Sequence, residues 1–134
     1  MSSELIELSK YRMEKAKEDF ANSTVDMENG FIKGSINRSY YAVFHAMRAV
    51  NALAGFDSKK HSGVIAYFNQ HYIHTGVISK DASDIIKNLS RIRNQSDYDD
   101  FFVVSRNEAE VQLAQAKAFI AEVEIYLQPL WDTK

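Results

Sequence analysis

Two polar segments of the sequence carry residue types that could handle a phosphate group. The first, NRSYYAVFH at residues 37–45, places Arg38, Tyr41 and His45 at spacings of three and four. On a helix, those spacings put the three side chains on one face. Arginine binds phosphate or carboxylate through a two-pronged fork, histidine titrates near neutral pH, and tyrosine stacks or donates a hydrogen bond. The alternative is an internal polar network, in which Asp97 or another carboxylate receives Arg38.

The second segment is RIRNQSDY, residues 91–98, at the end of an apolar helical pattern. Arg93 stands four residues before Asp97, so the two side chains can form an ion pair on a helix surface. Asn94 and Tyr98 lie beside them. A solvated helix end would explain this composition, because a positive charge near a helix C-terminus is favoured by up to about 1 kcal/mol. If this end lies against the first segment, however, the two segments form a single binding surface.

The histidines do not have the spacing of a metal site. His71 and His74 are three apart, but no third histidine or carboxylate accompanies them at a fixed offset, and the chain has no cysteine. We therefore expect no metal. We also expect no cofactor, because there is no glycine-rich phosphate loop and no strand to seat a nucleophile.

The composition indicates one all-α domain over residues 1–134. The chain has one proline, five glycines and a high share of good helix formers. It lacks an apolar run long enough to span a membrane and a signal peptide, so we expect a cytoplasmic protein. Its net charge of −2 gives no general attraction for phosphate backbones, although a local arginine cluster could still contact RNA.

The apolar periodicity predicts an antiparallel, up-and-down bundle of four long helices and one shorter helix. Apolar residues surround the second helix almost completely, so we expect it at the centre of the bundle. Its predicted packing seam is Ile36, Tyr40, Val43, Met47, Val50 and Ala54, and that of the last helix is Ala109, Leu113, Ala116, Ile120, Val123 and Leu127. The predicted helices run from about Ser3 to Asn22, from Asp26 or Phe31 to Ala54, from Lys60 to His74, from Ser79 into residues 91–98, and from Ser105 to just before Pro129.

The linker before the last helix contains a short apolar run, Phe101 to Val104. This run is too short and too close to turn residues to be another helix. It could cover one end of the bundle, or it could be an exposed surface that another subunit buries. The sequence leaves both alternatives open.

The order of these motifs resembles the HEPN family, small helical domains of prokaryotic toxin–antitoxin and defence systems. The resemblance covers almost the whole chain and is to the small stand-alone proteins often encoded beside a minimal nucleotidyltransferase. It implies a helical bundle, a homodimer and a nucleotidyltransferase partner. The segments that carry it are NRSYYAVFHAMRAV, KKHSGVIAYFNQHYI followed by TGVIS, RIRNQSDYDDF, and EAEVQLAQAKAFIAEVEIYL.

Many HEPN domains are metal-independent ribonucleases whose motif is an arginine, four to six intervening residues and a histidine. In that motif the histidine moves the proton of a ribose 2′-hydroxyl while the arginine steadies the phosphate. Arg93 and Asn94 match the start of the motif, but Tyr98, preceded by Asp97, stands where the histidine would be. With ordinary pKa values of about 10 and about 3.9, these two residues are poorly matched to proton transfer at pH 7. His45 could partly replace the histidine if it approaches Arg93 across the bundle.

The resemblance therefore favours an interaction module over an enzyme. Such a homodimer would bind a nucleotidyltransferase, a nucleotide or RNA through a face bearing Arg38, Tyr41, His45, Arg93, Asn94, Asp97 and Tyr98. An active ribonuclease toxin that uses Arg93 with Asp97, Tyr98 or His45 is the alternative, and a bundle whose polar cluster only stabilises it is the third.

The resemblance also implies control by modification. Partner nucleotidyltransferases silence HEPN toxins by adding AMP to a tyrosine two residues after the motif histidine. Counted from Tyr98, that position is Asp100. The position of the acceptor tyrosine thus holds an aspartate, and Tyr98 itself is a candidate acceptor.

Overall fold

The computed structural model describes residues 2–132, which form five α-helices and no strand. A π-helical segment, Asn69–Ile73, directly follows the third helix. Within this part of the chain, no helix combines the length and the apolar character needed to cross a bilayer. The all-α prediction is confirmed. The helices are α1 (Ser3–Glu28), α2 (Ile32–Leu53), α3 (His61–Phe68), α4 (Lys80–Tyr98) and α5 (Arg106–Trp131).

Long-range hydrogen bonds define the antiparallel packing of α1 and α2. The Ser9 hydroxyl donates to the Ala49 carbonyl at 2.7 Å, and the Ser23 hydroxyl donates to the Ser35 carbonyl at 2.7 Å. The first bond joins the start of α1 to the end of α2, and the second joins the end of α1 to the start of α2. The two helices therefore run in opposite directions, as the predicted bundle requires.

The second helix lies at the centre of the bundle and contacts all four of the others. The predicted packing seam is buried at Ile36, Tyr40, Val43, Met47 and Val50. Residues on several sides of a central helix can be buried, which explains its nearly continuous apolar composition. The predicted end residues Phe31 and Ala54 are the N-cap and the C-cap of this helix, one residue outside Ile32–Leu53. Both are exposed, so Ala54 does not belong to the buried seam.

The first helix is longer than its sequence pattern predicts. It continues past Asn22 to Glu28, through polar residues that we expected to break it. The hydroxyls of Ser23 and Thr24 are satisfied within the fold, because Ser23 donates to Ser35 and Thr24 to the carbonyl four residues earlier. They therefore do not draw the backbone out of its helical bonds, which is the usual reason that such residues interrupt helices.

The last helix also exceeds its predicted end. It includes Pro129 in its final turn and ends at Trp131. The indole N–H of Trp131 donates to the Ser9 hydroxyl at 2.9 Å, and this bond holds the last turn against α1. The predicted apolar seam of α5 is buried at Ala109, Ala116, Ile120, Val123 and Leu127, and Leu113 is partly buried.

The linker between α4 and α5 divides its apolar residues between two environments. Phe102 and Val104 pack on a small core cluster at one end of the bundle, which contains Ile36 and Ile92. Phe101 is 92 % exposed and Val103 is 86 % exposed. Alternation along an extended segment turns successive side chains to opposite sides, so one half of the run covers the bundle and the other half faces outward.

Candidate functional site

The Arg93 side chain of α4 lies against the middle of α2. Its guanidinium carbon is 5.1 Å from the ring centre of Tyr40 and 5.5 Å from that of Tyr41, within cation–π range. Its Nη2 donates to the Tyr41 hydroxyl at 3.3 Å. Its Nε lies 2.9 Å from Asp97 Oδ2, in an ion pair whose N–H is not aligned with the carboxylate. A weak bond of 3.5 Å joins Nη1 to Asn94.

The Arg38 side chain is bound by Asp19 of α1. Arg38 Nη1 donates to Asp19 Oδ1 at 3.0 Å, and His45 Nε2 lies 3.7 Å from the other carboxylate oxygen. The carboxylate that receives Arg38 is therefore Asp19 and not Asp97. Sequence spacing could not identify this partner, because it lies on another helix.

The environment of His45 disfavours its charged form. Burial lowers the pKa of His45, and the positive charges of Arg48, Lys15 and Arg12 lower it further, against the opposing effect of Asp19. The His45 Nδ1 atom is buried and has no hydrogen-bond partner in residues 2–132. With Nε2 beside Asp19 and Nδ1 enclosed, the His45 ring favours its neutral form.

Tyr41 separates the two parts of the expected face. Its ring centre lies 6.0 Å from that of His45, while Arg93 bonds its hydroxyl. Within the described residues, no hydrogen bond or ion pair joins Arg93 to His45 or to Arg38. The structure thus brings Arg93, Asn94, Asp97 and Tyr41 together, with His45 and Arg38 beyond Tyr41.

The remaining expected site residue, Tyr98, is 83 % exposed at the last position of α4. It does not join the polar contacts around Arg93. Its phenol is open to solvent, near the outward-facing Phe101 in the sequence.

A second histidine, which the sequence pattern did not indicate, lies at this site. His61 is the first residue of α3, and its Nδ1 atom shares a hydrogen bond of 3.0 Å with the Tyr40 hydroxyl. The centre of its ring lies 4.2 Å from the ring centre of Phe44. Burial lowers the pKa of His61, as do the positive charges of Arg93 and Arg48. Burial also raises the pKa of Tyr40 to about 12. Helical spacing gave no signal for His61, although the charged segment DSKKHS, residues 57–62, marked this loop as unusual.

An open cleft of about 420 Å³ lies between α2 and the start of α3. Aromatic side chains of α2 form part of its wall, and the loop before α3 supplies charged and polar groups. The lining residues are Tyr41, Phe44, His45, Arg48, Asp57, Ser58, Lys59 and His61.

One carboxylate in this cleft serves two arginines. Arg12 Nη2 and Arg48 Nη2 donate to the same Asp57 oxygen, at 3.0 and 3.1 Å. Burial of Asp57 opposes its ionisation, but the bonds from Arg48 and from the Ser58 amide, together with the charge of Arg12, outweigh it and lower the pKa of Asp57. No group of three or more potential metal ligands occurs in residues 2–132.

The sequence profile of the HEPN domain matches residues 9–126. The chain belongs to the HEPN family. The match contains the Arg93 cluster, the Arg38–Asp19 pair and the cleft that includes His61. The resemblance inferred from four sequence segments is therefore confirmed.

The relatives of this HEPN domain include UPF0332 proteins and proteins named as putative toxins. A UPF0332 protein from Thermotoga maritima is 25 % identical over 90 % of this chain and 91 % of its own length. A protein from Methanocaldococcus jannaschii that is named a putative toxin is 27 % identical over 88 % of this chain and 87 % of its own length. A UPF0332 protein from Pyrococcus horikoshii is 41 % identical, over 48 % of this chain and 45 % of that relative.

Proposed function

We propose that this HEPN domain is the toxin-like component of a two-protein toxin–antitoxin or defence system, and that it binds RNA through the face centred on Tyr41. The observation that carries the proposal is the Arg93 guanidinium, which is held against two tyrosine rings and oriented by Asp97. An oriented guanidinium beside aromatic rings can contact a phosphate while a neighbouring base stacks. The two M. jannaschii relatives that are named as putative toxins support the toxin-like role.

RNA binding is tested by fluorescence anisotropy with a labelled single-stranded RNA. We expect Arg93→Gln to weaken binding by about tenfold, because losing a charged contact costs about 1.5 kcal/mol. Arg91→Gln is the matched control, because Arg91 lies on the same helix but, within residues 2–132, its side chain bonds only to its helical neighbours Asn88 and Gln95. An equal loss in both variants, or no RNA binding by the native chain, contradicts the proposal.

A second candidate function is metal-independent ribonuclease activity. Two histidines, His45 and His61, flank Tyr41, and burial lowers the pKa of each. A neutral imidazole can accept the proton of a ribose 2′-hydroxyl. The test is incubation with RNA in the presence of a chelator: cleavage that Arg93→Ala and His45→Ala both abolish supports the enzyme, and intact RNA excludes it.

We also propose that the domain forms a homodimer through the outward-facing linker residues Phe101 and Val103. Exposed apolar side chains this close together are typical of a surface that another subunit buries. Light scattering of the Phe101→Ser, Val103→Ser double variant should give the mass of a monomer where the native chain gives a dimer. Ile125→Ser is the control, because Ile125 is also exposed but lies on α5.

The partner in the proposed system is a nucleotidyltransferase, and Tyr98 is its proposed target. The exposed phenol of Tyr98 can reach the active site of another protein without unfolding of α4. Mass spectrometry after incubation with the partner and ATP should find AMP on Tyr98. Modification that persists in Tyr98→Phe, or that occurs on exposed Tyr11 instead, contradicts this assignment.

A further inference from the structure

The last helix carries a second apolar stripe on the face opposite its buried seam. Val111 is 42 % exposed and Ile125 is 76 % exposed, and the members of the stripe between them are exposed alanines. Successive members are three or four residues apart in alternation, which is the spacing of a helix face that packs against another helix. Because all of them are exposed, no other helix of residues 2–132 covers this face. The residues of this outer stripe are Val111, Ala114, Ala118, Ala121 and Ile125.

A groove of about 480 Å³ lies beside the outer stripe, between α4 and α5. The first three residues of the outer stripe line its α5 side, and Ile85 lines its α4 side. Asn88 Nδ2 donates to Gln115 Oε1 at 2.9 Å, and this bond joins the two helices beside the groove. Small side chains let a helix approach closely, and side chains of that helix can enter the groove. The groove and the outer stripe together therefore have the shape of a surface that accepts a helix.

The α4 side of this groove is acidic. Asp81 and Asp84 line it, and within residues 2–132 neither carboxylate has an ion pair or a hydrogen bond. The described lining includes no lysine or arginine. The opposite edge of the outer stripe carries both signs, because Glu124 pairs with Lys17 of α1 and Lys117 lies there without a partner in the described chain. A complementary partner would therefore be apolar along one face and basic beside it.

We infer that the groove and the outer stripe bind an amphipathic helix of a partner protein, with basic residues of that helix beside Asp81 and Asp84. A helix that docks in a groove uses apolar residues three and four apart, and the outer stripe has the matching spacing. The inference rests on the proposed two-protein system for the identity of the partner. It concerns a surface that is separate from the Arg93 cluster and from Tyr98.

A second copy of the chain matches this surface less well than a basic helix does. In a symmetric pair, each copy presents the same patch to the other. The carboxylates of Asp81 and Asp84, which exceed the single free lysine of the patch, would then meet the same excess of negative charge. Like charges across an interface weaken association, so the charge of the groove favours a different protein as its partner.

The binding test uses two synthetic helical peptides that differ only in charge. Both have leucine at the a and d positions of three heptads, and the flanking positions are lysine in one peptide and glutamate in the other. Fluorescence anisotropy of the labelled peptides should show that the native chain prefers the lysine peptide by about tenfold. The Asp81→Asn, Asp84→Asn double variant should bind the two peptides about equally, because the carboxylates that distinguish them are gone.

The matched control for this test is the Glu7→Gln, Glu14→Gln double variant. It removes the same charge from exposed positions of α1, so it should retain the preference for the lysine peptide. Equal binding of the two peptides by the native chain overturns the inference. A preference that survives in the Asp81→Asn, Asp84→Asn variant overturns it as well.

The second measurement tests whether the outer stripe is the contact surface. Ala118→Gln places a larger polar side chain in the middle of the stripe and keeps a good helix former, so the lysine peptide should bind about tenfold more weakly. Ala21→Gln makes the same change at an exposed position of α1 and should leave binding unchanged. Circular dichroism checks that both variants keep their helices. Equal binding by the two variants would show that the peptide does not use the stripe.

The results separate this inference from the proposed function. If RNA binding depends on Arg93 while neither peptide binds, the docking surface is wrong and RNA binding stands. If the lysine peptide binds as expected while no RNA binds, the docking surface stands and the Arg93 proposal is wrong. Loss of the dimer in Ile125→Ser, measured by light scattering, would show that a second copy covers the outer stripe and would overturn the assignment to a partner helix.

Discussion

The two arginine clusters on either side of Tyr41 differ in how their charge is balanced. Arg93 pairs with Asp97 four residues later on the same helix. Arg12 and Arg48 come from α1 and α2 and converge on Asp57, in the loop before α3. The first cluster is local and balanced, whereas the second connects three parts of the chain and retains positive charge.

This difference suits the two clusters to different tasks, one to holding a guanidinium in a fixed orientation and the other to attracting an anion. A guanidinium with its own carboxylate is held in a fixed orientation but contributes little net field. Two guanidiniums that share one carboxylate stabilise the loop and still favour an anion nearby. The Arg93 cluster is therefore suited to orienting a ligand, and the Asp57 cluster to attracting one.

The largest effect is expected for Asp57→Asn. The substitution leaves Arg12, whose side chain is nearly buried, and Arg48 facing each other without a carboxylate. We expect a loss of about 2 kcal/mol in the free energy of unfolding, somewhat less than for a fully buried pair because Asp57 is half exposed. Urea unfolding measures this loss, with the exposed Asp100→Asn as the control. A loss no greater than that of the control would contradict the central role of Asp57.

An intermediate effect is expected for Tyr40→Phe. The Tyr40 side chain is buried and its hydroxyl bonds His61, so removal of the hydroxyl should cost about 1 kcal/mol and free the His61 ring. Unfolding by urea gives the cost, and exchange broadening of the His61 resonances would report the released ring. An unchanged His61 spectrum would show that another contact fixes α3 in this position.

A smaller effect is expected for Asp97→Asn. Arg93 retains its bond to Tyr41, its contact with Asn94 and both ring contacts, so the loss should be about 0.5 kcal/mol, as for other exposed helical pairs. The same urea experiment applies. If this loss equals that of Asp57→Asn, the contrast between a local and a convergent cluster is wrong.

The pH dependence should be the most gradual of these effects. Burial lowers the folded-state pKa of both His45 and His61 below 6.5, so the unfolded chain binds more protons just below that pH. Their contribution to stability is fully present above pH 6.5 and is lost as the pH falls through the folded-state values. Thermal unfolding between pH 5 and pH 7 should show this slope, reduced in His61→Asn and retained in His74→Asn. A slope unaffected by His61→Asn would place its origin elsewhere.

Local pattern predicted much of the fold and only part of the candidate site. The seams of α2 and α5 were correct except at Ala54, which is exposed, and Leu113, which is partly buried, because burial of one helix face imposes a period that the sequence must carry. The pairing of Arg93 with Asp97 followed from their spacing, because residues four apart are neighbours on the surface of a helix. The end of α1 was wrong because Ser23 finds its partner on α2, which no local rule anticipates.

The sequence by itself determined the helices, their approximate order and the family, since these depend on residue types at short, regular spacing. Only the tertiary structure decided that Asp19 receives Arg38, that Asp57 joins two arginines, and that His61 stands beside Tyr40. Each of these contacts joins residues on different helices or loops. Their distances depend on how whole helices pack, which the pattern of a single segment does not encode.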